Sequence, residues 1–290
     1  MPADSSTDST TSPQRLFFDS HMHTPLCKHA DGHPAEYAAQ GWNAGLKGII
    51  MTCHSPMPDG FSHRVRMSPE QFDDYVGLVQ EGADQAPEGF EVRLGLESDF
   101  FPGMEGWLAD LHTRADFHYI LGSVHWHIPE YLDAFWSGDV LAFRQQYFWH
   151  LAESAESGLF DCLSHPDLVK NAAPDDWNFE ELRSTVIESL DRIARTGVAM
   201  ELNTSGLYKA TPEMNPGPEM LKLMAERDIP IVIGSDSHVP QRVGDLFLAA
   251  LGALEAAGFE NVSYFENRRR RDLPIDLVRE SLMAFDTQFA

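Results

Sequence analysis

Apolar residues in this chain gather in short runs, and the stretches between the runs repeat apolar positions at helical spacing. Seven runs stand out: LFFD at 16–19, GIIMT at 48–52, EVRLGLE at 91–97, HYILGSV at 118–124, LFDCLSH at 159–165, VAMELN at 198–203 and IPIVIGSD at 229–236. Their near-continuous hydrophobicity is what strands covered on both faces require. The segments 34–45, 69–82, 141–157, 179–196, 218–227 and 240–257 carry helix-like spacing with Pro or Ser near their starts, which predicts helices. Strand and helix in alternation predict repeated βα units around a parallel sheet. NVSYF near 261 is predicted as a last edge strand.

The polar residues at the ends of these runs turn a fold prediction into a functional one. Run one leads to His21 and His23, run two to His54, and run three ends at Glu97. Run four leads to His125, run five ends at His165, and run seven ends in Asp236 and His238. A parallel barrel gathers such strand ends at one mouth, where the catalytic residues of these folds converge. The densest stretch is FFDSHMHTPLCKHADGH at 17–33, with four histidines. His21 and His23 are two apart, so on an extended segment both rings point to one side, as two ligands of one ion require. His29 and His33 follow in a turn-rich loop. The imidazole nitrogen suits zinc, iron or manganese far better than calcium.

Composition narrows the alternatives. A chain of 290 residues, 43% hydrophobic and 11% aromatic, is compatible with one large barrel domain. No window offers eighteen consecutive apolar residues, so no membrane span is expected. Residues 1–14, MPADSSTDSTTSPQ, lack a basic start and an apolar core and are expected to form a flexible tail, not a signal peptide. Residues 15–290 are then the catalytic domain, with the cytoplasm as the expected location. The net charge of −24 argues against a nucleic-acid partner, which draws on clustered Lys and Arg. The run Arg268 to Arg271 is expected to be ion-paired surface. Cys27, Cys53 and Cys162 cannot make a disulfide framework and fit a reducing compartment. Cys53, beside His54, is expected to be buried packing. No Walker-type phosphate loop is present, and Ser205 in NTSGL has no nucleophile elbow around it. Gly206 there is expected to serve the turn.

HMHTPLCKHADG, CHSPMPDGF with RMSPEQFDDYV, GLESDFFPG, DFHYILGSVHW, FDCLSHPDLVK, ELNTSGLYK and IPIVIGSDSH span nearly the whole chain after the tail. In these motifs the chain resembles the PHP phosphoesterases, and among them the barrel-type histidinol-phosphatases. The resemblance implies an α/β fold of the distorted (β/α)7 TIM-like type and a trinuclear centre of divalent zinc, iron or manganese. His21, His23, Glu97 and Asp236 would bind the first ion. Glu97 would bridge to a second held by His125 and His165, while His29, His54 and His238 would hold the third. Divalent ions around a bridging carboxylate suit phosphoryl transfer, because they acidify water and neutralise phosphate oxygens.

Of the remaining histidines, His33, His63, His112, His118 and His150 are expected bystanders, while His127 is a candidate for substrate contact or proton donation. Asp99 is a candidate to meet a substrate ammonium or act as general acid. Arg64, Arg66, Lys209 and Arg242, with Lys28, are candidates for phosphate contact. Tyr208 and Val239 stand where relatives in the resembled family often carry an arginine and a basic or polar residue. The expected activity is hydrolysis of the phosphomonoester L-histidinol phosphate, a small-molecule substrate. The rivals are a hydrolase for another substrate on the same scaffold and a barrel that binds without catalysis.

Overall fold

The computed structural model describes residues 13–285, where strands and helices alternate along the chain. The first half runs β1 (Phe18–Asp19), α1 (Pro34–Asn43), β2 (Gly48–Met51), α2 (Phe72–Asp84), β3 (Glu91–Asp99), α3 (Glu105–Leu111), β4 (Tyr119–Ser123), α4 (Pro129–Phe135) and α5 (Val140–Glu156). It continues with β5 (Cys162–Leu163), α6 (Phe179–Ala194), β6 (Ala199–Asn203), α7 (Pro218–Ala225), β7 (Ile231–Gly234), α8 (Phe247–Ala257), β8 (Asn261–Glu266), β9 (Arg269–Pro274) and α9 (Ile275–Met283). Strands β1 to β7 pair in parallel in sequence order. Just past their ends β7 returns to β1 through a parallel bridge at Met22 and Ser237, where the His23 amide donates to the Ser237 carbonyl at 2.9 Å. Such closure puts seven strand ends around one mouth.

Period-two alternation explains what lies inside. Phe18, Ile50, Leu121, Cys162, Ala199 and Val232 form one buried apolar cluster with Tyr119 and Phe265. Two residues further along the same face come Thr52, Ser123, Glu201 and Gly234, and beyond these His54, His125 and Asp236. Each strand thus passes from an apolar plug to a polar ring in steps of two. Cys162 belongs to the plug. A larger core lies between strands and helices, where residues such as Ile49, Leu96, Ile120 and Leu163 meet the helical faces.

The structure departs from the expected elements in several places. Helices α3, α4 and α9, seven to nine residues long, were not foreseen. The helix expected over 240–257 begins only at Phe247: Pro240–Arg242 is a single 3-10 turn, and Leu246 adopts a left-handed φ of 62°. The strand at NVSYF exists as β8 but is not the edge. The arginine run supplies β9, antiparallel to it, with Arg268 paired to Asp161, Arg270 to Asp272 and Arg271 to Glu266. Gly206 does lie in a turn, the 3-10 segment Thr204–Tyr208, and it also permits close approach, since a Cβ there would lie 2.2 Å from the Glu213 carbonyl oxygen. Of the expected tail, residues 1–12 lie outside the described residues, and Gln14 already accepts a hydrogen bond from Ser281 at 2.8 Å. No helix among the described residues is long and apolar enough to cross a membrane.

Two of the expected bystander histidines have structural consequences. Burial pushes His150, packed against Tyr131, down to about 4. His112, beside Ser98, is pushed to about 4 by burial and then by the charge of Arg268. An unfolded histidine titrates near 6.5, so between these values the unfolded chain takes up protons that the folded chain refuses. The stabilisation is complete above about pH 6.5 and is lost as pH falls toward 4. Urea midpoints are therefore expected to drop between pH 6.5 and 4.5, and the drop should shrink in the double variant His112→Asn/His150→Gln.

Candidate metal centre

Glu97, at the inner face of β3, stands at the middle of the mouth with none of its surface exposed. One carboxylate oxygen lies 3.1 Å from His165 Nε2, 3.5 Å from His125 Nε2 and 3.6 Å from His21 Nε2. The other lies 2.7 Å from His54 Nδ1 and 3.7 Å from His23 Nε2. Asp236 approaches from the end of β7, 3.2 Å from His23 Nε2 and 3.6 Å from His21 Nε2. His238 Nε2 and His29 Nε2 face each other at 3.0 Å on the solvent side. His165 and Asp236 both have positive φ, 24° and 49°, an uncommon backbone for such residues and one that clusters at functional sites. His29, His54, Glu97, His125, His165, Asp236 and His238 border a cavity of about 310 Å³, with His21 and His23 buried beneath it.

Carboxylates behind the histidines set their orientation. His21 Nδ1 donates to Glu201 at 2.7 Å, and His125 Nδ1 donates to Asp99 at 2.8 Å, leaving each Nε2 directed at Glu97. This is the arrangement that fixes tautomer and ring angle for metal-ligating histidines. Asp19 pins the loop beneath, accepting from the amides of His21, Ser235 and Gly244. Gly234 is required by space, since a Cβ there would sit 2.0 Å from Glu201.

Charge in the centre is unbalanced toward the negative at its floor. Burial alone would depress His21, but the carboxylates of Glu201, Asp236 and Glu97 lift it well above its ordinary value. His23 is likewise lifted to about 9 against burial by Asp236, Cys53 and Glu97. Burial opposes ionisation of Glu97 and Asp236 as well, yet the surrounding imidazoles, with Lys209 beside Asp236, hold both far below the usual carboxylate range. Toward solvent the sign reverses: burial, then the charge of His23, pushes His238 down to about 3. His21 Nε2, His54 Nδ1 and Glu97 Oε2 are buried without a hydrogen-bond partner although they crowd together. Lone pairs held face to face in this way, on nitrogen and carboxylate oxygen only, fit divalent cations of the zinc, iron and manganese kind.

The PHP domain family profile matches residues 19–205, more than half of the chain. The chain belongs to the PHP domain family. A Deinococcus radiodurans protein named "Probable histidinol-phosphatase" is 36% identical over 252 residues, 85% of this chain and 95% of that one. The Bacillus subtilis histidinol-phosphatase is 26% identical over 268 residues, 80% of this chain and 97% of its own. The Lactococcus lactis histidinol phosphate phosphatase, solved with zinc, L-histidinol and phosphate, superposes with a TM-score of 0.72 at 19% identity, covering 88% of this chain and 98% of that one. The last likeness concerns the fold.

In this PHP domain all nine histidines and carboxylates singled out as ligands meet in one cluster. The other candidates divide. Lys209 lines the cavity, its Nζ 3.5 Å from Asp236. His127 also lines it, with its ring 5.6 Å from that of His125. Burial in the cleft, then the charge of His125 and His165, pushes His127 down to about 3, although the residue is exposed at the mouth of the cavity.

Asp99 does not border the cavity. It is 1% exposed and paired with Arg66 and His125, a placement that gives it a positioning role instead of the expected ammonium contact or general acid. Burial opposes its charge, but Arg66 and His125 hold its pKa far below the usual range. Arg66 reaches the cavity wall, yet its guanidinium is occupied by Asp99 and the Ser55 carbonyl. Arg64 is exposed and Arg242 pairs with Asp245 under the Tyr208 ring; neither borders the cavity. Lys28 donates to the His63 carbonyl at the surface. His33 caps α1, its ring accepting from the Ala35 amide at 3.2 Å. Glu201 and Asp19 were missed by sequence reasoning. Glu201 had a signal, a carboxylate inside the apolar run VAMELN, whereas Asp19 looked like an ordinary end of run one.

Proposed function

We propose that this protein is a metal-dependent phosphomonoesterase that hydrolyses L-histidinol phosphate to L-histidinol and phosphate. The observation that carries the proposal is Glu97, a buried carboxylate with His54, His165, His125 and His21 all within 3.6 Å. Relatives of nearly full length named as histidinol-phosphatases support the substrate. As part of the same proposal, residues 15–290 act as one catalytic domain in the cytoplasm, and the centre is trinuclear. His21, His23, Glu97 and Asp236 hold one ion; Glu97, His125 and His165 hold a second; His29, His54 and His238 hold the third.

Bound divalent ions would supply the Lewis acidity that turns water into a nucleophile at neutral pH and offsets charge on the phosphate. The chain's own groups do the rest. The Lys209 ammonium, close to Asp236 at the cavity wall, attracts the phosphate dianion and holds it by charge-assisted hydrogen bonds. Arg66 and Asp99 keep His125 fixed, so the site is set before substrate arrives. His127 offers a neutral ring to the leaving alcohol's side of the cavity, and Val65, Ile128 and Leu168 give the imidazole tail an apolar wall.

A purified preparation is expected to contain more than one equivalent of zinc, iron or manganese. It should prefer histidinol phosphate to an aryl phosphate by roughly a hundredfold in kcat/KM. Full activity in metal-free protein would refute the mechanism. The second reading, a hydrolase for another phosphoester on this scaffold, draws on Asp99: with that carboxylate spent on Arg66, no uncommitted acid among the described residues lines the cavity to meet an ammonium. Turnover of an aryl phosphate with histidinol phosphate untouched would select it.

A further inference from the structure

The outer pair of histidines leaves a question that nitrogen ligands alone do not answer. His29 Nδ1 donates to the Cys27 carbonyl at 2.7 Å, and His238 Nδ1 donates to the Asp236 carbonyl at 3.1 Å. Each ring has therefore used its proton on backbone, and the two bare Nε2 lone pairs confront each other at 3.0 Å. That arrangement is repulsive unless a cation lies between them. The Cys27 sulfur belongs to the same group, within 4.8 Å of a ring nitrogen on both His29 and His238.

We propose that the Cys27 thiol is a ligand of the outer metal position, beside His29 and His238, and makes that position a sulfur-containing site selective for zinc over manganese. The inference rests on the cluster being a metal centre, and it adds a donor to that reading. Local backbone explains the placement. The 3-10 turn Pro25–Cys27 ends at Lys28 in a left-handed conformation, φ 71°, which turns the chain so that Cys27 points inward, fully buried, while His29 stays at the rim. Cys53 sits next to it as its hydrogen-bond partner: the Cys53 sulfur accepts from the Cys27 thiol and, at 3.1 Å, from the Thr24 hydroxyl, while its own thiol donates to the Thr24 carbonyl at 3.6 Å, so metal binding would exchange the Cys27–Cys53 hydrogen bond for a sulfur–metal bond. On binding, the sulfur–metal bond forms as the thiol proton leaves to solvent. Thiolate favours zinc, whereas manganese prefers oxygen ligands.

The test uses the full chain, reduced with a phosphine so that no added thiol competes. Zinc-loaded wild type is expected to show a sulfur neighbour at about 2.3 Å by X-ray absorption. Cobalt-loaded wild type should show a near-ultraviolet sulfur-to-cobalt charge-transfer band. The band should vanish in Cys27→Ser, with loss of one metal equivalent and retention of the inner ions, and should persist in Cys53→Ser. Metal-replete wild type without a sulfur neighbour would overturn the inference and leave the phosphatase reading intact, as would a band lost only in Cys53→Ser. Protein that binds no divalent metal would overturn both.

Discussion

Glu97→Ala is expected to lose metal from two positions at once and to lower kcat for histidinol phosphate by about a thousandfold or more. The carboxylate touches histidines from four different strand ends, and each of its oxygens serves a different group of rings. The nearest other carboxylates are already engaged: Asp236 is held at His21 and His23, and Asp99 is turned away into Arg66. His29→Ala, at the rim, should remove only the outer ion and cost far less metal. Metal analysis of the two variants beside wild type decides the point, and equal small losses would show that Glu97 is not shared.

Asp99→Ala should destabilise the protein by about 3 kcal/mol or more, because it strands the buried Arg66 guanidinium without its counter-charge. It also frees His125, whose ring angle is set by the 2.8 Å bond to Asp99. Activity should therefore fall by the same factor on histidinol phosphate and on an aryl phosphate, since the defect lies in the centre and not in the tail site. A fall confined to histidinol phosphate would restore Asp99 to substrate recognition. Arg66→Met added to Asp99→Ala should recover part of the lost stability, measured by urea denaturation, since it removes the orphaned charge.

Both predictions separate what a sequence can reveal from what packing decides. The alternation of apolar runs with helical segments identified β1 to β8 and the longer helices, because strand burial and helix amphipathicity are written at periods of two and about 3.6. Histidines and acids at the run ends identified eight of the nine clustered residues, because in a parallel barrel position along the strand also fixes position in space; His29, in the loop after run one, came only through the family resemblance. Short elements such as α3 and α4 escaped.

Partner choice is where sequence reading stopped. Asp99, Arg66, Arg242 and Glu201 all looked like possible surface or substrate groups, or went unremarked, since a charged residue shows the same letter whether it faces a ligand or another side chain. Only the register of β3 against β4 and the path of the loop after β2 bring Asp99 between Arg66 and His125, and only the approach of β6 to β1 across the barrel puts Glu201 behind His21. The chain alone thus determined that the run-end histidines, with Glu97 and Asp236, gather at the mouth, through a period repeated locally along each strand. Tertiary structure decided which of them are free to act and which are held by another, because in a buried site each charge must find its counter-charge among residues distant in sequence.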